Sequence, residues 1–113
     1  MFKLSTSDSY KYPVVVEIVD ESGRTTKHTF EAHFKRLPQS EIDRLLVASK
    51  DDGIRDEDVV DQVLIGWSGV VDEQGDAMPF NAENVRVVLD ICPVRACVVR
   101  AWVDSLTGGR RKN

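Results

Sequence analysis

The sequence predicts an α+β domain, an N-terminal antiparallel β-hairpin followed by about four α-helices, and three features carry that prediction. "YPVVVEIVD" is a dense β-branched run with side chains alternating between two faces. "TTKHTFEAHF" repeats the period of two, setting aromatic and small residues against polar ones. After the "LP" at residues 37 and 38 the apolar spacing becomes that of helices buried along one side.

In the first run Val14, Val16 and Ile18 share one face and Val15, Glu17 and Val19 the other. "DESGR" then reverses the chain, with Asp20 and Ser22 as turn formers and Gly23 able to take positive φ without a Cβ clash. The return strand turns Thr26, His28, Phe30, Ala32 and Phe34 inward, and Thr25, Lys27, Thr29, Glu31 and His33 to water. Two strands alone are marginal in water, so helices, further strands or a second subunit must cover them.

The first helix lies in "LPQSEIDRLLVASK", where Ser40 followed by Asp43 predicts a capped start and Ile42, Leu45, Leu46 and Ser49 form the buried stripe. "KDDGIRD" interrupts it with turn chemistry. Asp56 caps a second helix, "DEDVVDQVLIG", with Val59, Val60, Val63 and Leu64 inward and Gly66 as its stop. A third starts near Asn81, turns Val85, Val88 and Leu89 inward and breaks before Pro93.

The last helix begins around Pro93, which is tolerated in a first turn because its missing N–H would have had no partner there. Val94, Cys97, Val98, Ala101 and Ser105 line one side. Val99, Trp102, Val103 and Leu106 widen the stripe beyond what a surface helix needs, so this helix is either central to the core or partly buried by a partner. Thr107 and Gly108 end it, and no internal repeat or low-complexity segment is visible.

At 113 residues the chain suits one domain, with 1–10 and 108–113 read as flexible ends. A net charge of -4 supplies no broad positive field for phosphate backbones, which disfavours nucleic-acid binding; the local exception is the tail "GGRRKN". No apolar run approaches the ~20 residues of a membrane helix, and "MFKLSTSDSYKYP" lacks the apolar centre of a signal peptide, so the expected location is the cytoplasm. Cys92 and Cys97 then read as reduced, packed thiols, and "CPVRAC" is not a CxxC redox motif.

Chemistry-bearing patterns fail one after another. Aligning Gly75 with the glycine of a calcium-binding EF-hand loop puts Val70 at the first ligand position and Asn81 at the twelfth, where an oxygen donor and a bidentate Glu are required. His28 and His33 point to opposite faces of one strand, and Cys92 and Cys97 straddle a helix start, so the four make a poor zinc set. Cys97 lies on an apolar stripe, where a thiol behaves as a small hydrophobe and not as a nucleophile. The acids Asp51/Asp52, Asp56/Glu57/Asp58 and Asp72/Glu73 sit at loops and a helix start, which accounts for them through capping and hydration. No phosphate-cradling glycine motif is present. These readings predict no cofactor, no metal site and no catalytic residue.

The most distinctive stretch is "GWSGVVDEQGDAMPF", residues 66 to 80. Gly66, Gly69, Gly75 and Pro79 set its turns, Trp67 and Phe80 pin its ends by packing between helices, and its acids face water.

Taken in order, Phe34-Lys35-Arg36-Leu37, Gly66-Trp67 with Gly69-Val70, Asp72-Glu73 with Gly75, Pro79-Phe80-Asn81 with Glu83-Asn84, and Val103 to Gly108 make a combination more specific than its parts. Over roughly residues 12 to 108 the chain resembles the tail assembly chaperones of long-tailed bacteriophages and prophages. It departs from them in having Cys92-Pro93 where a Pro-Gly-like break is frequent, and in its basic last four residues.

The resemblance implies a non-enzymatic protein of the bacterial host cytoplasm, not expected in the mature virion. It would bind the long, helical tape measure protein, keep it soluble and help recruit the tail tube protein. A chaperone for amphipathic helices needs apolar surface to offer and net charge to stay dissolved. Trp67, Phe80, Val99, Trp102, Val103 and Leu106 are the candidates for that surface, and the alternative for each is a place in the core. Open sheet edges and the wide last helix also predict self-association. The competing class is a small regulatory or nucleic-acid-binding protein that uses the basic C-terminal tail. An enzyme would require a concave site with convergent titratable groups, which the sequence does not foreshadow.

Overall fold

Alternation of apolar and polar residues on both sides of "DESGR" folds back on itself as two long paired strands, β1 (Ser9–Val19) and β2 (Thr25–Lys35). The computed structural model describes residues 7–50 and 56–107, with the side chains of all of these except 48–50 and 56–57. The pairing is continuous from Val19↔Thr25 to Ser9↔Lys35. Val14, Val16, Ala32 and Phe34 are buried on one face, while Val15, Glu17 and Val19 are exposed on the other, as the period of two requires.

β1 starts at Ser9, ahead of the "YPVVV" run, so Ser9 and Tyr10 belong to the sheet. Tyr10 is tied down on the inner face. Its hydroxyl shares a 2.7 Å hydrogen bond with Ser105 Oγ, its ring is tilted against Phe34 at 5.9 Å, and the Arg36 guanidinium lies 5.0 Å above it.

The turn between the strands is built around the Asp20 carboxylate, which accepts from the Ser22 amide at 2.9 Å and the Arg24 amide at 3.0 Å. The Asp20 amide donates to the Arg24 carbonyl, the Gly23 amide donates to the Asp20 carbonyl, and Gly23 takes φ 84°. The same arrangement recurs in the acidic loop. Asp72 Oδ1 accepts from the Gln74 and Asp76 amides, both at 2.9 Å, the Asp72 amide donates to the Asp76 carbonyl, and Gly75 takes φ 88°. "DESGR" and "DEQGD" are thus one Asp-Glu-x-Gly turn used twice, in which the aspartate takes the place of water on two turn amides and so fixes the reversal. The bond from the Met78 amide to the Val70 carbonyl, with that from the Asp72 amide to the Asp76 carbonyl, sets Val71 opposite Ala77 and extends the second turn into a small hairpin.

α1 (Gln39–Lys50) begins directly after Pro38, whose carbonyl accepts from the Glu41 and Ile42 amides. Ser40 therefore lies inside the first turn and is not the cap. Proline holds Leu37 extended and brings its own φ near the helical value, so the boundary falls at the proline. Asp43 instead accepts from the Gln39 side chain at 2.9 Å, and Leu45 is buried. The "KDDGIRD" break, mostly residues 51–55, and the side chains of Ser49 and Asp56 lie outside the described residues.

α2 (Asp56–Val63) buries Val59, Val60 and Val63 as predicted, but it stops one residue before Leu64. Leu64–Ser68 is a third strand, β3, antiparallel to β2, giving the order β1-β2-β3. This corrects the longer second helix and the role of Gly66 as its stop. Leu64 pairs with Phe34 and Trp67 with Ala32 on the inner face, and Ile65 is the extra residue at a bulge between them. Gly66 pairs with His33, where an ideal Cβ would come within 2.9 Å of His33 Nδ1. A side chain there would have to displace the imidazole from its 3.1 Å bond to Ser68 Oγ.

α3 (Ala82–Leu89) is capped by Asn81, whose side chain accepts from the Asn84 amide at 2.8 Å, and it buries Val88 and Leu89. α4 (Val94–Leu106) follows Pro93 as N-cap and ends at Thr107; Gly108 lies outside the described residues. α4 packs across β1 and α2, with Val94, Val98, Ala101 and Trp102 buried. It runs antiparallel to β1, because Ser105 meets Tyr10 while Val94 lines one groove with Val16 and Ile18.

Two outcomes are expected in urea unfolding. Asp20→Ala and Asp72→Ala should each cost about 1 kcal/mol, because each leaves two turn amides without their acceptor. Gly66→Ala should destabilise alone and cost less in a His33→Ala background; an equal cost in both would contradict the close approach of Gly66 to His33.

Candidate functional site

The six apolar residues singled out for partner binding divide into a core set and a surface set. Trp102 is 2% exposed and Trp67 8%, so neither indole offers surface in the folded chain. Each is held inside by its own packing. Trp102 faces into the layer between α4, β1 and α2, and Trp67 points inward from β3, where its indole N–H donates to the Met78 carbonyl at 2.8 Å. Phe30 and Phe80 meet the Trp67 ring edge-on, at 6.4 and 5.0 Å. Trp67 and Phe80 thus join the two ends of the loop by packing on each other, and not between helices as expected, because Trp67 belongs to β3.

Phe80 keeps 37% of its surface exposed and Val103 38%, while Val99 and Leu106 are half-buried. Val99, Val103 and Leu106, at i, i+4 and i+7, share the open flank of α4, and Trp102 stands where that flank meets the buried side. Trp67 and Phe80 make a separate pair at the β3–α3 connection.

Beside the α4 flank lies a groove of about 270 Å³. Trp102, Leu106, Leu37 and Ile42 give it apolar walls, Tyr10 and Ser105 close one side, and Lys35 and Arg36 stand at it as cations. Its composition follows from local structure. Pro38 turns the chain out of β2 into α1, which brings Lys35, Arg36 and Leu37 alongside the end of α4, and the Tyr10–Ser105 bond fixes the strand to the helix there. Leu37, Ile42 and Tyr10 were not anticipated as site residues. The signal for Leu37 was the "FKRL" stretch between strand and helix, and that for Ile42 its place on the apolar stripe of the first helix. Such a groove can take apolar side chains from an amphipathic helix, with the two cations favouring acidic residues beside them.

The acidic loop is occupied with its own backbone, since the Asp72 carboxylate serves two amides. His28 bonds to Thr26 Oγ1 and His33 to Ser68 Oγ, on opposite faces of β2. Among the described residues no group of three or more His, Cys, Asp and Glu side chains is placed to hold a metal ion. Among them, too, no helix is long and apolar enough to cross a membrane. The basic tail, residues 108–113, lies outside the described residues.

Truncation should separate the two sets of residues. Trp102→Ala is expected to cost about 3–5 kcal/mol in chemical denaturation, as for a buried indole, whereas Val103→Ala should stay within about 0.5 kcal/mol. Similar costs for the two would contradict the division of α4 into a buried and an open flank.

No family model matches the chain, and no curated protein and no solved structure is significantly similar to it, which leaves its residues and their arrangement to carry the functional reading.

Proposed function

We propose that this protein is a non-enzymatic tail assembly chaperone of a long-tailed bacteriophage or prophage. It binds the tape measure protein in the host cytoplasm, keeps it soluble, helps recruit tail tube subunits and is absent from the mature virion. The order of motifs from Phe34 to Gly108 suggests the family. The structural observation that supports the reading is the α4 flank, where Val99, Val103 and Leu106 remain partly open beside an apolar groove with cations at Lys35 and Arg36.

A long amphipathic helix exposes apolar side chains at i, i+3, i+4 and i+7 before its tail tube forms, and a matching stripe with a groove beside it can cover them. The net charge of -4 keeps the chaperone dissolved while that surface is open. Capture needs no chemistry, and the residues named here hold and release by burial alone.

Co-expression of the whole chain with the tape measure protein encoded beside it tests the reading. The client should move into the soluble fraction and co-purify, and a client that stays insoluble and uncaptured would overturn the proposal. Val103→Asp and Lys35→Glu, both at exposed positions, should reduce capture by about tenfold while leaving the urea midpoint almost unchanged. Capture untouched by both would place the client elsewhere.

A further inference from the structure

Among the described residues, the strand order leaves one long edge of β1 without a neighbouring strand. Hydrogen bonds at the two ends of the hairpin give the phase of that edge. The Asp20 amide donates to the Arg24 carbonyl and the Arg36 amide to the Asp8 carbonyl, so the even-numbered positions of β1 bond to β2. Bonded positions alternate in an antiparallel pair, which turns the backbone groups of Lys11, Val15 and Glu17 to the open edge. Pro13 shares this phase, at a position where a missing N–H takes nothing from the hairpin. Beside the edge, a groove of about 590 Å³ separates β1 from α4, lined on the helix by Ala96, Cys97, Arg100, Ala101 and Asp104.

We propose that this edge pairs with the same edge of a second copy of the chain, antiparallel about a twofold axis at Val14, so that two three-stranded sheets become one. Charge selects the register. With Val14 on the axis, Lys11 lies opposite the partner's Glu17, Glu17 opposite the partner's Lys11, and Pro13 opposite the partner's Val15. A shift of two residues sets Lys11 against the partner's Val15 or the partner's Val19. Centring the pair on Lys11 or on Glu17 brings like charges together. Only the Val14 register matches opposite charges.

The row continues on both sides, because within each chain Glu17 lies opposite Lys27 and Lys11 opposite His33. Across four strands it reads Lys27, Glu17, the partner's Lys11, the partner's His33. Prolines and charged residues on an edge strand block indiscriminate pairing. In this register they are matched instead: each Pro13 costs one ladder bond, and the two ion pairs exclude the alternatives. The helical layer obeys the same symmetry. Since α4 runs antiparallel to β1, the axis sets it antiparallel to its copy along the groove, where Arg100 and Asp104 stand one turn apart and meet the same pair in reverse order. The exposed Ala96 is small enough to leave room for that approach. The pairing is independent of what the Leu106 groove binds.

Sedimentation equilibrium of the whole chain, across micromolar concentrations and at two salt levels, tests it. The unmodified protein should dimerise, and more weakly at high salt. Lys11→Glu and Glu17→Lys should each weaken the dimer by about tenfold or more, because each sets like charges together at both symmetric contacts. Mixed in equal amounts, the two variants should form a heterodimer, since every opposed pair is then complementary, and the double variant should regain the dimer. Circular dichroism checks that each variant is folded, and Lys11→Gln or Glu17→Gln, expected to weaken the dimer to a lesser degree, replaces any that is not. A protein that remains monomeric up to millimolar concentration, or a dimer indifferent to these reversals, would overturn the proposal.

Discussion

Val14, Val16, Ala32 and Phe34 stand side by side on the inner face of β1 and β2, almost wholly withdrawn from water. Val14, Val16 and Phe34 each contribute roughly 1.5–3 kcal/mol when buried, and most of that would be lost if the hairpin stood alone. Much of the remaining chain serves to cover this face. α4 lies over β1, α2 packs against α4 and β2, and β3 extends the sheet so that Leu64 and Trp67 carry the same apolar layer beyond Phe34 and Ala32.

The covering elements are held by short polar devices placed where the backbone must turn. The Asp20 and Asp72 turns use one carboxylate for two amides and one glycine at positive φ, so the chain reverses tightly without unpaired donors. Trp67 joins the second turn to the core by a hydrogen bond and an edge-on ring contact. The loop that reads as most functional in the sequence is thereby a brace that positions the start of α3 at Asn81. Its acids are accounted for by the backbone they serve and by water.

α4 divides its labour by angle. Val94, Val98, Ala101 and Trp102 complete the core, while Val99, Val103 and Leu106 turn toward the edge of the packed layer, where Leu37 and Ile42 offer a second apolar wall. Binding at that flank requires no rearrangement of the core, because the residues with open surface are not those that hold the sheet. The opposite flank of the same helix, with Arg100 and Asp104, faces the open edge of β1. The two surfaces are therefore separate and have no lining side chain in common.

Much of the fold was legible from residue order alone, for a physical reason: period and turn chemistry are local. The inward alternation of Val14, Val16, Ala32 and Phe34, the reversal at Gly23, the Asn81 cap and the buried side of α4 all follow from neighbours a few residues away. β3 was not legible, since "LIGWS" is short and mostly apolar and its Gly66 reads as a helix stop, so the stretch suits a helix end or a strand equally well. Only the unpaired edge of β2, distant in sequence, decides between them. The partition of the candidate site was hidden for the same reason. Composition marks Trp67, Phe80, Val99, Trp102, Val103 and Leu106 alike as apolar, and which of them keeps contact with water depends on what the sheet and α2 already cover. Local chemistry determined the elements and their faces; the three-dimensional packing alone decided which faces were left over.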